Sequence, residues 1–164
     1  MNKYCGTIED FAPVKEDRSR VVISYGLITD GDKAEWFEIT FYKKQGKPTF
    51  EAAKAAIIAD INERITQKIV GGMTFEDKPV WLSIENQINF SQAAAPCRLK
   101  IGEEADGTPV YHEFNTKADL KAFNDACIAW KNECLEAGRA EKEGIDWTPY
   151  AEALSPVTES TNAE

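Results

Sequence analysis

The stretch FEAAKAAIIADINERITQKIV, residues 50–70, decides the fold class. Its apolar residues recur every three or four positions, which is the period of an amphipathic helix. Thr49 lies where an N-cap belongs, and Gly71-Gly72 end the pattern. We therefore predict a helix of about five turns. Its buried stripe consists of Phe50, Ala53 (or Lys54), Ile57, Ile61, Ile65 and Ile69.

The residues before this helix predict antiparallel strands. VVISYGLI (21–28) is nearly all apolar or β-branched, Asp30-Gly31 offers a turn, and EWFEITFYKK (35–44) completes a hairpin. Period-two alternation makes Phe37, Ile39 and Phe41 the better core face of the second strand, which leaves Trp36 and Tyr42 on the other face. The segment KYCGTIEDF (3–11) is expected to join the same sheet.

Two further hairpins follow the helix. MTF (73–75) and VWL (80–82) flank a short polar turn and predict a small hairpin. CRLKI (97–101) and PVYHEF (109–114) flank EEADGT, in which Asp-Gly is a strong turn signal. No strand–helix–strand spacing recurs, so the chain predicts local, antiparallel pairing.

VWLSIENQINF, residues 80–90, combines a strand end with an amide-rich run. Ser83 is placed to cap a short helix, whose buried stripe would be Ile84, Ile88 and Ala95. Asn86 and Asn89 would then lie on its solvated side. A solvated helix face is the favoured interpretation and a recognition surface is the alternative, because amide side chains orient ligands but do not break bonds.

A second long helix is predicted after the last hairpin. Thr116 and Asp119 have the spacing of a capping box, and Gly138 closes the pattern. The stripe comprises Leu120, Phe123, Cys127, Trp130, Cys134 and Gly138, with Ile128 and Leu135 widening it. The predicted fold class is thus α+β, with antiparallel strands and hairpins and two long amphipathic helices.

The domain organisation is predicted from the same elements. Residues 1–154 form a single α+β domain, with a β-rich part over 1–46 and a mixed helix and hairpin part over 47–154. Residues 155–164 are polar and without period, so a disordered tail is expected there.

Charge and hydropathy exclude several classes of partner. The chain has 19 Lys and Arg against 28 Asp and Glu, a net charge of −9. Basic residues are interleaved with acids, so no stripe for nucleic-acid phosphates forms and direct nucleic-acid binding is not expected. No apolar run is long enough for a membrane span, and no membrane association is expected. The cysteines lack a CxxC pair, which favours four buried thiols in a reducing compartment.

No motif predicts catalysis. A zinc site or a serine triad needs histidine, and His112 is the sole one, on a strand face shared with Val110 and Phe114. A packed histidine is therefore favoured over a metal ligand. The usual glycine-rich phosphate loops are absent from the sequence. We predict no catalytic residues, no metal and no cofactor, and thus a protein that is not an enzyme.

Amphipathic aromatic residues and exposed amides suggest an interaction surface instead. The candidates are Trp36, Tyr42, Trp81, Asn86, Asn89, Trp147 and Tyr150. Structural packing is the favoured interpretation for each aromatic side chain. For the segment EKEGIDWTPY (141–150), Ile145 and Trp147 would fold back onto the domain, whereas in the alternative Tyr150 would contact a partner.

The order of several motifs resembles a family of short proteins of unassigned function carried by bacteriophages and prophages of gut bacteria. The motifs are FEAAKAAIIADINERIT (50–66), Gly71-Gly72, TFEDKPVWLSIENQINF (74–90), GTPVYHEF (107–114) and KEGIDWTPY (142–150). That family is related to phage domains of unknown function, often encoded beside tail and tail-fibre genes. Those domains share a helix, a short hairpin and a second polar helix. The resemblance implies a phage context and supplies no catalytic residue.

Two functions are consistent with these observations. The first is a non-enzymatic bacteriophage structural or assembly protein, either a minor virion component or a tail-assembly accessory. Its partners would be other phage proteins or further copies of itself, and its location the host cytoplasm during assembly and then the virion. The second is a phage-encoded regulator or inhibitor that binds a host protein.

Overall fold

A computed structural model of the chain describes residues 2–155. Helices and antiparallel strands build an α+β fold, which confirms the predicted class. The chain divides into two compact units, the first being Met1–Ile61 with Glu141–Glu164 and the second Asn62–Ala140. Apart from Ser155, the tail predicted from residue 155 onward lies outside the described residues.

The first unit is built on a four-stranded antiparallel sheet. The strands are β1 (Asn2–Thr7), β2 (Val14–Glu16), β3 (Arg20–Asp30) and β4 (Lys33–Tyr42), in the order β1-β4-β3-β2. The predicted hairpin of β3 and β4 and the pairing of the first strand with it are both confirmed. β2 was not predicted, because three residues are too few to show a period.

A bulge interrupts the β3–β4 pairing. The register shifts between Tyr25 and Ile28, and Gly26 adopts φ +67° there. A Cβ at Gly26 would lie 3.2 Å from the Phe37 ring, so both conformation and space favour glycine. Val21, Ile23 and Tyr25 lie before the shift and are buried, whereas the end of β3 after it is exposed.

Trp36 is buried, with 4% of its surface exposed, so packing, the favoured interpretation for this side chain, is confirmed, whereas its predicted place on the face away from the core is wrong. The segment after β1 covers that face of β4. Phe11 packs edge-on against the indole at 6.1 Å, and Tyr4 stacks on it at 6.4 Å. The indole Nε1 donates to Glu38 at 2.9 Å, which satisfies its polar atom.

Helix α1 (Phe50–Gly71) begins in the first unit and ends in the second. Thr49 caps it, since Thr49 Oγ1 accepts a hydrogen bond from Ala52 N at 3.2 Å. The predicted stripe is confirmed at Ala53, Ile57, Ile61 and Ile69, which are buried, whereas Phe50 and Ile65 are half-buried. In the first unit the Tyr25 hydroxyl donates to the Asp60 carboxylate, which links β3 to α1.

The second unit contains two hairpins and two further helices. Its elements are β5 (Met73–Phe75), β6 (Lys78–Val80), α2 (Ile84–Gln92), β7 (Cys97–Glu103), β8 (Pro109–Phe114) and α3 (Lys117–Glu143), the last of which ends in the first unit. Both predicted hairpins are present, but the second strand of the first one is Lys78–Val80 and not 80–82, because the turn is only two residues long. The capping box is also present, with Thr116 N donating to Asp119 at 3.0 Å and Asp119 N to Thr116 Oγ1 at 3.2 Å.

Aromatic rings form the centre of the second unit's core. Phe75, Phe90 and Phe114 each contact Phe123 with ring centroids 5.0–5.1 Å apart. Aliphatic side chains surround them: Val80, Leu82, Ile101, Val110 and Leu120. The aromatic core therefore draws on β5, α2, β8 and α3 together.

Two predicted stripes are wrong in part. Ile84 and Ile88 of α2 are exposed, because Phe90 sets which side of that helix faces the core. Ile128 and Leu135 of α3 are exposed as well, since the aromatic core is narrower than the predicted stripe. The remaining stripe of α3 is confirmed at Leu120, Phe123, Cys134 and Gly138.

The thiols differ from the predicted four buried cysteines. Cys134 is buried and Cys97 and Cys127 are half-buried, whereas Cys5 is exposed on β1, at one edge of the first sheet. All four are free thiols.

Candidate interaction surface

The second unit brings three of the seven predicted surface residues to one place. Trp81, Asn86 and Asn89 line a cleft of about 580 Å³. The two walls of this cleft are α2 with the turn before it, and strand β7. We call it the α2–β7 cleft.

Hydrogen bonds within the turn fix how α2 starts. Ser83 Oγ accepts from Asn86 N at 3.2 Å, which confirms the predicted N-cap. Asn86 Nδ2 donates to the Trp81 carbonyl at 3.0 Å, and Gln87 Nε2 donates to the Leu82 carbonyl at 2.6 Å. Two amides of the amide-rich run thus hold the turn itself, while Asn89 is exposed on the wall of the cleft.

Three apolar residues at and beside α2 are exposed, and we call them the α2 apolar stripe. Ile84 is 75% exposed, Ile88 is 49% exposed and Trp81 is 41% exposed. On a helix with 100° per residue, Ile84 and Ile88 lie roughly 120° and 160° from the buried Phe90. Leu82 and Phe90 are the apolar residues that indicate the buried side of α2 in the sequence. The four-residue spacing of Ile84 and Ile88 favoured the opposite side of the helix in the prediction.

The β7 wall of the cleft carries charges of both signs. Lys100 Nζ lies 2.5 Å from Glu103 Oε1, and this hydrogen bond raises the pKa of Lys100. The Arg98 guanidinium stacks over the Tyr111 ring, 4.3 Å from its centroid. The cleft lining contains two basic residues, Arg98 and Lys100, and two acidic residues, Glu85 and Glu103, so it has no dominant sign of charge.

The first unit holds the other four candidates and buries two of them. Tyr150, like Trp36, is 4% exposed, so structural packing, the favoured interpretation for both side chains, is confirmed, and the alternative of an accessible Tyr150 does not hold. The segment folds back, and the Tyr150 hydroxyl bonds to the backbone of β3. Trp147 is half-buried against Phe50, with ring centroids 6.3 Å apart. Tyr42 is exposed at the end of β4.

His112 is a packed histidine, as predicted. Its ring contacts Phe114 at 4.6 Å and Phe75 at 5.7 Å, and its Nδ1 lies 3.3 Å from Lys78 Nζ. Across residues 2–155, no three side chains of His, Cys, Asp or Glu are grouped so that they could hold a metal ion. The same residues include no helix with the length and apolar character needed to cross a membrane.

A smaller groove of about 350 Å³ lies between α2 and α3 in the second unit. Leu82, Phe90 and Cys127 are among its lining residues, as are Gln87 and Asn124. Burial raises the pKa of the Cys127 thiol to about 11. This thiol is therefore protonated near neutral pH and is a poor nucleophile.

These features define a small α+β protein with an exposed apolar helix face beside a cleft. Residues 52–158 match the family model described as a domain of unknown function (DUF4376). Because the match covers more than half of the chain, the protein belongs to this family. The matched residues include the whole α2–β7 cleft. No curated protein and no solved structure matches the chain.

Proposed function

We propose that this protein is a non-enzymatic bacteriophage structural or assembly protein that acts through protein–protein contacts made by the α2 apolar stripe. The observation that carries the proposal is the exposure of Trp81, Ile84 and Ile88 on and beside one short helix. Covering such side chains is favourable by about 25 cal/mol per Å² of apolar surface.

The stripe has the properties of a recognition surface. Ile84 and Ile88 are one helical turn apart, so their side chains are neighbours on the same face. The cap by Ser83 and the bond from Asn86 to the Trp81 carbonyl hold the turn that carries them. A rigid apolar centre with amide groups beside it matches the usual composition of protein interfaces.

The phage context of the proposal rests on the motif resemblance. A minor virion component or a tail-assembly accessory would use the stripe to bind another phage protein or a second copy of this chain. It would act in the host cytoplasm during assembly and, as a virion component, remain in the particle. The net charge of −9 favours partners other than nucleic acid.

The test is mass spectrometry of purified particles from a phage that encodes this protein. We expect the protein in fixed ratio to known structural proteins, or in assembly intermediates. A double substitution, Ile84→Ser with Ile88→Ser, should remove it from both. Its matched control is Ile128→Ser with Leu135→Ser, which changes two exposed apolar residues of α3.

Two results would overturn the proposal. If the protein is absent from particles and intermediates but binds one host protein, the regulator or inhibitor function replaces it. If both double variants behave like the wild type, the α2 apolar stripe is not the contact surface.

A further inference from the structure

Over Cys97–Lys100, one edge of β7 lies open in the α2–β7 cleft. β7 pairs with β8 along its other edge. Within residues 2–155, the backbone hydrogen bond that reaches the open edge joins Trp81 N to the Ile101 carbonyl at 2.8 Å. Residues Cys97–Lys100 line the cleft beyond that point.

The strand register shows which backbone groups face this edge. Glu104 N donates to the Thr108 carbonyl at 2.9 Å, so Thr108 faces β7. The direction of the backbone N–H and C=O groups alternates from residue to residue along a strand, so those of Tyr111 and Glu113 are directed away from β7. Their register partners Lys100 and Arg98 consequently direct their N–H and C=O groups into the cleft.

The opposite wall supplies matching polar groups. Asn89 and Gln92 are exposed amides of α2, and each carries a donor and an acceptor. Trp81 adds a large amphipathic side chain at one end of the cleft. An unpaired strand edge facing amides, without dominant charge, is complementary to a peptide backbone and not to an ion.

We infer that the cleft binds an extended segment of a partner polypeptide, which adds to β7 as a third strand and places an apolar side chain against Trp81. This inference rests on the proposed protein–protein function and names the kind of partner segment. Strand addition uses backbone bonds for affinity and side-chain contacts for selectivity. With a rise of about 3.3 Å per residue, the open edge from Cys97 to Lys100 accommodates about four or five residues.

The experiment uses a displayed library of random dodecapeptides, selected on the immobilised full chain. We expect selected peptides to slow hydrogen exchange at the Arg98 and Lys100 amides. Each peptide is resynthesised twice, with N-methyl groups at its odd-numbered residues and then at its even-numbered residues. One of these two versions should lose at least tenfold in affinity, because every second N–H of an added strand bonds to β7. N-methylation tests the backbone bonds without changing the protein.

A matched pair of substitutions tests the same edge from the protein side. Arg98→Pro removes an outward N–H, which edge strands tolerate, whereas Arg98→Ala keeps it. We expect the proline variant alone to lose peptide binding, with circular dichroism and melting used to establish that it remains folded. If the proline variant does not fold, the affinity of the N-methylated peptides for the unchanged protein decides whether a strand adds to β7.

Three outcomes would overturn the inference. In the first, the library yields no peptide above background. In the second, N-methylation of the peptides has no effect on affinity and the protected amides are those of Ile84 and Ile88. In the third, protection of the Arg98 and Lys100 amides depends on protein concentration alone, which shows that the chain pairs with itself. Under the second and third outcomes the protein–protein function stands and strand addition by a partner fails.

Discussion

The hydroxyl of Tyr150 donates a 2.8 Å hydrogen bond to the carbonyl oxygen of Ser24, across 126 residues of chain. This bond ties helix α4 (Thr148–Leu154) to β3 in the first unit. Both residues are buried, and the indole of Trp147 lies 5.9 Å from the phenol ring. The C-terminal segment is therefore part of the first unit's core.

Replacing Tyr150 with phenylalanine removes this donor and retains the ring. The Ser24 carbonyl then stays buried without the bond, so we expect a loss of about 1–2 kcal/mol in the free energy of unfolding. Urea denaturation at pH 7 measures it. Tyr42→Phe is the matched control, because Tyr42 is exposed and its replacement should change little. Equal effects of the two substitutions would contradict a role for the Tyr150 bond.

The same phenol makes stability depend on alkaline pH. Burial raises the pKa of Tyr150 to about 12, above its usual value of about 10. Between these values the unfolded chain has released the proton and the native state has not, so the unfolded state binds fewer protons. Stability from this group is thus full below pH 10 and falls as pH rises toward 12. Denaturation midpoints should converge for wild type and Tyr150→Phe over that range, and a constant difference would exclude the effect.

Truncation after Arg139 removes α4 with the buried Tyr150 and Leu154. Loss of two large core side chains should lower the free energy of unfolding by more than about 3 kcal/mol. Thermal melting by circular dichroism measures this, and a chain ending at Ser155 is the control. A truncated protein with unchanged melting that loses only a binding partner would instead assign the segment to docking.

Local signals were sufficient to predict much of the fold. The spacing of Ile57 and Ile61 defines a helix face within one segment, and Thr116 and Asp119 carry their capping chemistry three residues apart. The Ser83 cap and the two hairpins of the second unit are of the same kind. Each of these features depends on residues close in sequence, which is why periodicity and turn chemistry identify them.

Contacts between distant segments could not be predicted in this way. Trp36 is covered by Tyr4 and Phe11, and no pattern within β4 reveals that cover. Tyr150 is buried where its hydroxyl donates a hydrogen bond to the Ser24 carbonyl, 126 residues earlier in the chain. Of the candidate surface, Trp81, Asn86 and Asn89 were found because they belong to one short motif, whereas the β7 wall was missed because it comes from another hairpin.

Thiol reactivity should separate the cysteines by burial. At pH 8 about one Cys127 thiol in a thousand is ionised, given its pKa of about 11. Burial likewise raises the pKa of Cys134, whereas Cys5 is exposed. Iodoacetamide followed by peptide mass spectrometry should label Cys5 first, with Cys127 and Cys134 labelled slowly until the chain unfolds in urea. Labelling of native Cys127 as fast as that of Cys5 would contradict its raised pKa.

Gly138 of α3 is in close contact with Ile65 of α1 in the second unit. A Cβ at Gly138 would lie 2.5 Å from Ile65 Cγ1, so Gly138→Ala should destabilise by about 1–3 kcal/mol despite alanine's better helix propensity. In an Ile65→Ala background the obstructing atoms are absent, and the same substitution should cost nothing or stabilise. Urea denaturation of the four proteins gives the coupling energy. Additive effects would mean that the two helices do not approach each other at this pair.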